Sequence, residues 1–446
     1  MQNIQLDLSQ SKKHHEEALA WLPLGVTGDG RYSRPYPIVF ESAHGKWITD
    51  VDGNRYLDFH CGFGSVALGY GNESVDTAVR QAMADRGTFV GVPHRYEEHL
   101  AGRLCETIDC AEKVALCGGG GSDAIYHAIR IARAATGRRR LGKVEGGYQG
   151  WHSDVGVSTN PALEDSSDTG RPQAVPNSAG ILPEVTEAVS VLSANDQQAL
   201  TELFESEGDS LAALILEPVL YSSGCIILDK EYLELARSLC TKHGVVLILD
   251  EIMSGFRNGT SGAGSLLGIK ADLAAFGKAI SNGYVISVLA GKAELIDQLA
   301  PLGRVFYSGT FNGHPISVAA AEATLDIFEA EKVPDHLSSL TDRVVTGVNE
   351  AIEQTGANAV CQGFGGVWNM YFGAKSVRTF RDFARAKTPE TLELNESYRW
   401  HLANNGIYMH PRHINRCFIS SRHEPEDIDR TVEVIAEFFN ENAGRI

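Results

Sequence analysis

Apolar positions along this chain fall into two alternating kinds of run. Residues 212–216 and 245–249 are short, continuously apolar blocks, the pattern of strands buried on both faces. Residues 231–243 between them carry helical spacing, as do 74–84, 97–108 and 122–136. In the last of these Ile125, Ile129 and Ala132 fall in phase and Gly137 supplies a stop. Strand–helix–strand order of this kind predicts a mostly parallel sheet covered by helices. Residues 47–59 differ: two short runs flank Asp52-Gly53-Asn54, whose tolerance of positive φ predicts a β-hairpin.

Residues 160–183 break the alternation. They are rich in Pro, Ser, Asp and Gly, too polar for core, and predict an exposed loop, either a mobile one or a disordered surface insertion. Beyond about residue 325 helices alternate with short strands, including 366–372, as expected of a separate α+β unit. At 446 residues the chain exceeds one comfortable core. The expected organisation is therefore a segment 1–65 belonging to a small domain, a large domain 66–325 and a C-terminal small domain 326–446.

Composition narrows the class. With 43% hydrophobic and 22% charged residues the chain is ordinary for a globular protein, and a net charge of −18 opposes binding to a phosphate backbone. Arg138-Arg139-Arg140 follows a helical run and reads as a solvated helix end rather than a nucleic-acid patch. No apolar run approaches the ~18 residues of a membrane span, and the polar N-terminus lacks a secretory core. Eight scattered cysteines show no C-x-x-C spacing, so neither a disulfide framework nor a zinc site is expected and a cytoplasmic setting fits. His410, His413 and His423 call for no metal and read as pocket lining or structural.

Three segments carry chemistry. Gly118-Gly119-Gly120-Gly121-Ser122 opens a helical run, where free backbone N–H groups and the Ser122 hydroxyl suit a phosphate. The loop matches neither common phosphate motif, and Asp123 must point away from an anion. Asp250 closes a buried strand; it could simply cap a following helix, or hold a protonated pyridine nitrogen. Lys278 lies in apolar surroundings followed by Ser281-Asn282-Gly283, where a lysine either snorkels or is desolvated into a usable base. Together the three point to pyridoxal 5′-phosphate (PLP), which needs its phosphate held, its ring nitrogen protonated and its aldehyde joined to a lysine. Glu217, at the end of another predicted strand, falls on the same carboxyl edge and is expected among the cofactor-binding residues.

From about Leu22 to the C-terminal helix these motifs resemble the class III aminotransferases of PLP fold type I, among them glutamate-1-semialdehyde aminomutases and D-phenylglycine aminotransferases. The resemblance implies an α/β large domain with a mostly parallel seven-stranded sheet, a smaller α+β C-terminal domain, and a PLP enzyme. It gives Gly120, Gly121 and Ser122 to the phosphate. Glu145-Gly146-Gly147-Tyr148-Gln149-Gly150-Trp151 stands for its Tyr-His-Gly segment, so Tyr148 would stack on the cofactor and Trp151 would line the substrate site. Asp250 would meet the ring nitrogen, Ile252 the opposite ring face and Lys278 the aldehyde. Ser222 would lie near the pyridoxal hydroxyl. Thr310, in Ser308-Gly309-Thr310-Phe311-Asn312-Gly313, would reach the phosphate of a second subunit, which implies a homodimer.

Gly25-Val26-Thr27-Gly28-Asp29-Gly30-Arg31 aligns with a segment whose arginine receives a substrate carboxylate; a surface arginine is the alternative. Gln149, Ser222, Ser281-Asn282-Gly283 and the 410–415 stretch depart from the aminomutase pattern. The expected activity is ping-pong transfer of an amino group from an amine or amino acid to a keto acid or aldehyde. Aminomutase chemistry is the alternative, and a non-catalytic binding protein on the same fold the remote one.

Overall fold

The continuously apolar runs become the interior of a seven-stranded sheet. In chain order its strands are β1 (Lys113–Cys117), β2 (Arg140–Val144), β3 (Val189–Leu192), β4 (Leu211–Leu216), β5 (Val246–Asp250), β6 (Leu273–Phe276) and β7 (Ser287–Gly291). Their spatial order is β1-β7-β6-β5-β4-β2-β3. Only β7 runs antiparallel to its neighbours. Every residue of β4, β5, β6 and β7 is buried, which explains why these strands lack polar alternation.

This computed structural model describes residues 4–165, 167, 169–411 and 416–446. It divides into two units, the larger being Glu73–Pro334 with Arg378–Ala384, the smaller Met1–Asn72, Asp335–Val377 and Arg385–Ile446. The boundaries fall later than the 65/66 and 325/326 expected, and Arg378–Ala384 belongs to the larger unit. The reason for the last is physical: Arg381 donates to both oxygens of buried Glu145, at 3.1 and 3.0 Å. Breaking such a pair would strand a charge, so it fixes the segment firmly.

In the larger unit α1 (Gly121–Thr136) buries Ile125, Ala128, Ile129 and Ala132 against the sheet and stops at Gly137, φ +69°. α2 (Lys230–His243) joins β4 to β5. Within the 160–183 connection Leu163–Asp165 form a short turn, and Arg171 fastens the connection to Ser206 and Glu207.

In the smaller unit the expected hairpin forms from Trp47–Asp50 and Arg55–Asp58, with Gly53 at φ +90°. Asp50 Oδ1 accepts from the N–H groups of Asp52 and Asn54 and so closes the turn. Ile407–Tyr408 adds a parallel strand to Arg55–Asp58. A second sheet pairs Ala359–Phe364, Val367–Phe372 and Arg416–Phe418. No helix among the described residues is long and apolar enough to cross a membrane.

Candidate active site

The carboxyl edge of the large sheet holds a cavity of about 280 Å³. Gly120, Gly121, Ser122, Tyr148, Glu217, Ser222, Asp250, Ile252 and Lys278 all line it, together with Gln149, Gly150, Met253, Tyr284, Val285 and Ile286. The register explains the meeting of Asp250 and Lys278. Asp250 pairs with Ala275 of β6, so the lysine lies three residues further along the adjacent strand's exit. Lys278 opens a short 3₁₀ turn, Lys278–Ser281, and holds φ at +48°, a left-handed conformation rare for a side chain of its kind.

Asp250 is buried, and its Oδ1 accepts from Ile252 N at 3.0 Å. Burial pushes its carboxyl upward; the Ile252 bond and the Lys278 charge oppose this. It is not a helix cap. Its neighbour Glu251 does that work, accepting from Ala263 N and Gly264 N at 2.9 and 2.7 Å and from the Ser254 hydroxyl. Glu217 is raised by burial first and the Asp250 charge second. Its Oε1 accepts from Tyr148 N at 2.7 Å and Gln149 Nε2 at 2.9 Å. Buried Asp250 and Glu217 and half-buried Lys278 thus form one set of groups whose charges act on one another.

Above them, Gly120 precedes α1 in extended backbone with no side chain capping the helix, leaving first-turn N–H groups for a ligand. A Cβ on Gly121 would lie 2.5 Å from Ile252 Cδ1, whereas one on Gly120 would meet nothing within 4 Å. The Ser122 hydroxyl accepts from Trp151 N at 3.3 Å, leaving its own proton to donate. Asp123 folds back over Gly119 and lines a different cavity.

Three expected site residues are not among the lining of the carboxyl-edge cavity. Thr310 is exposed in a second cavity of about 420 Å³, beside Gly118 and Asp123, because Gly118 N donates to Asn312 Oδ1 at 2.8 Å and holds that loop there. Trp151 is 77% exposed and outside the lining; its backbone, not its ring, touches Ser122. Arg31 belongs to the smaller unit, exposed, with Nη1 donating to Thr27 Oγ1 at 2.8 Å. The 412–415 positions lie outside the described residues. His423 is fully buried, its Nδ1 accepting from Ser420 N, and no cluster of metal-binding side chains occurs among the described residues. The sequence did not mark Met253, Tyr284, Val285 and Ile286, whose apolar character is shared with ordinary core.

This donor set fits PLP. Backbone donors and a hydroxyl at a helix start, an acid below, a lysine amine beside it and a half-exposed tyrosine are the groups its phosphate, ring nitrogen, aldehyde and ring face require. Gln149 adds a buried Oε1 with no hydrogen-bond partner among the described residues.

Comparison with known proteins agrees. The class-III aminotransferase family model matches residues 30–411, and the chain belongs to that family of PLP-dependent enzymes. Among its relatives, the glutamate-1-semialdehyde 2,1-aminomutase of Archaeoglobus fulgidus is 33% identical over 97% of this chain and 100% of its own. An omega-transaminase from Sphaerobacter thermophilus superposes with a TM-score of 0.88 at 28% identity, over 96% of this chain and 97% of its own. A transaminase with PLP bound gives 0.87 at 26% identity, over 98% and 99%.

Proposed function

We propose that this protein is an aminotransferase that moves an amino group from an amine or amino acid to a keto acid or aldehyde in two half-reactions, as a cytoplasmic homodimer. The observation that carries the reading is the convergence of Lys278, Asp250 and Glu217 in one cavity beneath the Gly120-Gly121-Ser122 backbone. PLP, when bound there, supplies the electron sink that makes a substrate Cα–H bond acidic. Gly120, Gly121 and Ser122 hold the phosphate. The Asp250 carboxylate keeps a proton at the ring nitrogen. Tyr148 and Ile252 would flank the ring, and Ser222 would lie by its hydroxyl. The Lys278 amine would take the Cα proton and return it at the cofactor's aldehyde carbon, on the far side of the bridging nitrogen.

Glu217 acts through its neighbours, fixing Tyr148 and Gln149. Arg31 receives a substrate carboxylate, Trp151 borders the substrate, and Thr310 completes the phosphate site of a second copy. Eight free thiols, seven of them buried, suit the cytoplasm.

Transfer within one molecule is the second reading, favoured by the Archaeoglobus relative's name. Gln149 and Ser222 in the cavity wall, with Ser281-Asn282-Gly283 after the lysine, weigh against it. The test offers the PLP-loaded protein a panel of amines with keto acids, and separately glutamate 1-semialdehyde alone. Product amine appearing only when donor and acceptor are both present supports transfer between molecules. Consumption of glutamate 1-semialdehyde without an acceptor, and no turnover of the panel, would overturn it.

A further inference from the structure

Lys143 is a fully buried lysine on β2 that the proposed chemistry does not use. Its ammonium donates to the carbonyl oxygens of Gly147 at 3.0 Å, Val155 at 3.3 Å and Val157 at 2.5 Å. No carboxylate forms an ion pair with it among the described residues. An apolar side chain of the same length would avoid the cost of burying this charge, so a triple donor must serve the geometry.

What it grips is telling. Gly147 C=O and Tyr148 N–H are the two polar ends of one planar peptide group. Lys143 holds the oxygen end and Glu217 the nitrogen end, at 3.0 and 2.7 Å. Thr159 Oγ1 adds a second donor to the same oxygen at 3.2 Å. The other two carbonyls bring the far end of the loop, residues 155–157, back to its start, and Gly146 N donates to Ser158 O beside them.

We infer that Lys143 and Glu217 form a clamp on the Gly147–Tyr148 peptide, and that Lys143 is a positioning residue setting the direction in which Tyr148 meets the cofactor ring. The inference rests on the reading of Tyr148 as the ring-stacking residue. Burial pushes Lys143 down to about 7 and the Glu217 charge pulls it back up. A site held this way is stiff at the peptide plane from which Tyr148 projects.

The test compares Lys143→Met, Tyr148→Ala and the double variant. PLP affinity is read by titrating apoprotein, and amide exchange of residues 146–159 is measured without cofactor. Lys143→Met should weaken PLP about tenfold and open the loop to exchange while β5 stays protected. Residues in one network couple, so the double variant should bind PLP within about twofold of Tyr148→Ala. Additive losses, or wild-type exchange in Lys143→Met, would overturn the clamp. Wild-type PLP affinity and turnover in Tyr148→Ala would instead overturn the ring-stacking reading, leaving loop exchange to judge the clamp. Should Lys143→Met not fold, Thr159→Val removes one bond to the same carbonyl. It must show smaller changes in the same direction, and unchanged exchange there refutes the proposal.

Discussion

Gly120 and Gly121 are neighbours in one loop, yet the structure gives them opposite tasks, and alanine at each separates the two. A methyl on Gly121 would stand 2.5, 2.6 and 2.8 Å from three side-chain carbons of Ile252. Ile252 is buried and β-branched, so it has few rotamers into which it can retreat. Overpacking of this kind costs about 1–3 kcal/mol. Against it stands a gain of about 0.4–1 kcal/mol from the stiffer unfolded chain. The clash wins, and Gly121→Ala should destabilise the apoprotein by roughly 0–2.6 kcal/mol. Gly120 has φ −78° and open space around its Cβ position, so Gly120→Ala should leave the apoprotein as stable as before or slightly more so. Its methyl would project from the loop that lines the cavity, and PLP affinity should fall.

Thermal melting of the apoproteins and PLP titration read the two effects apart. Ile252→Ala combined with Gly121→Ala should be more stable than the sum of the single changes, because the smaller side chain vacates the contested volume. If Gly121→Ala melts above wild type, or Gly120→Ala binds PLP normally, the loop is not the cradle described.

Lys278→Ala should retain PLP through the loop and ring contacts yet lose steady-state turnover, and activity persisting in a spectrophotometric half-reaction would refute its role. Arg31→Ala should weaken amino and keto acids by roughly 2–5 kcal/mol and spare plain amines, in comparative kcat/KM measurements; equal losses for both would mark a structural arginine. His423 is pushed down to about 4 by burial, so the unfolded chain binds its proton more tightly. Its stabilisation is full above pH 6.5 and is lost as pH falls toward 4, roughly 2–3 kcal/mol by pH 4.5. Denaturant midpoints at pH 7 and 4.5 should therefore differ less in His423→Gln than in wild type, and an equal or larger drop would contradict this.

The parts of this fold that were legible in sequence are those where context made a residue exceptional. Lys278 and Asp250 stood out because everything around them was apolar, and the βαβ order was visible because interior strands carry no polar alternation. Glu251 was not separable from Asp250, since both are acids at one strand end. Only the positions of Ala263 and Gly264, twelve and thirteen residues away, make Glu251 a cap. Lys143 and Glu145 alternate with apolar neighbours as an exposed strand would. β2 instead lies inside the sheet between β4 and β3, and both charges are buried because loop carbonyls and Arg381 satisfy them. Alternation reports two faces of different character, not which of them is wet.

The sheet's direction explains why residues so far apart in sequence share one cavity. β1, β2, β4, β5 and β6 run the same way, so their exits lie along one edge. They lead into Gly120, Tyr148, Glu217, Asp250 and Lys278 respectively. β7 runs the other way and therefore enters at that edge: Ile286 just before it lines the cavity, and Ser287 Oγ donates to Gly120 O at 3.0 Å. One reversed strand thus fastens the glycine loop to the floor of the site. Reversal is useful here because a seventh parallel strand would have placed Ser287 at the opposite edge, some five residues of extended chain away, about 16 Å at the rise of a strand.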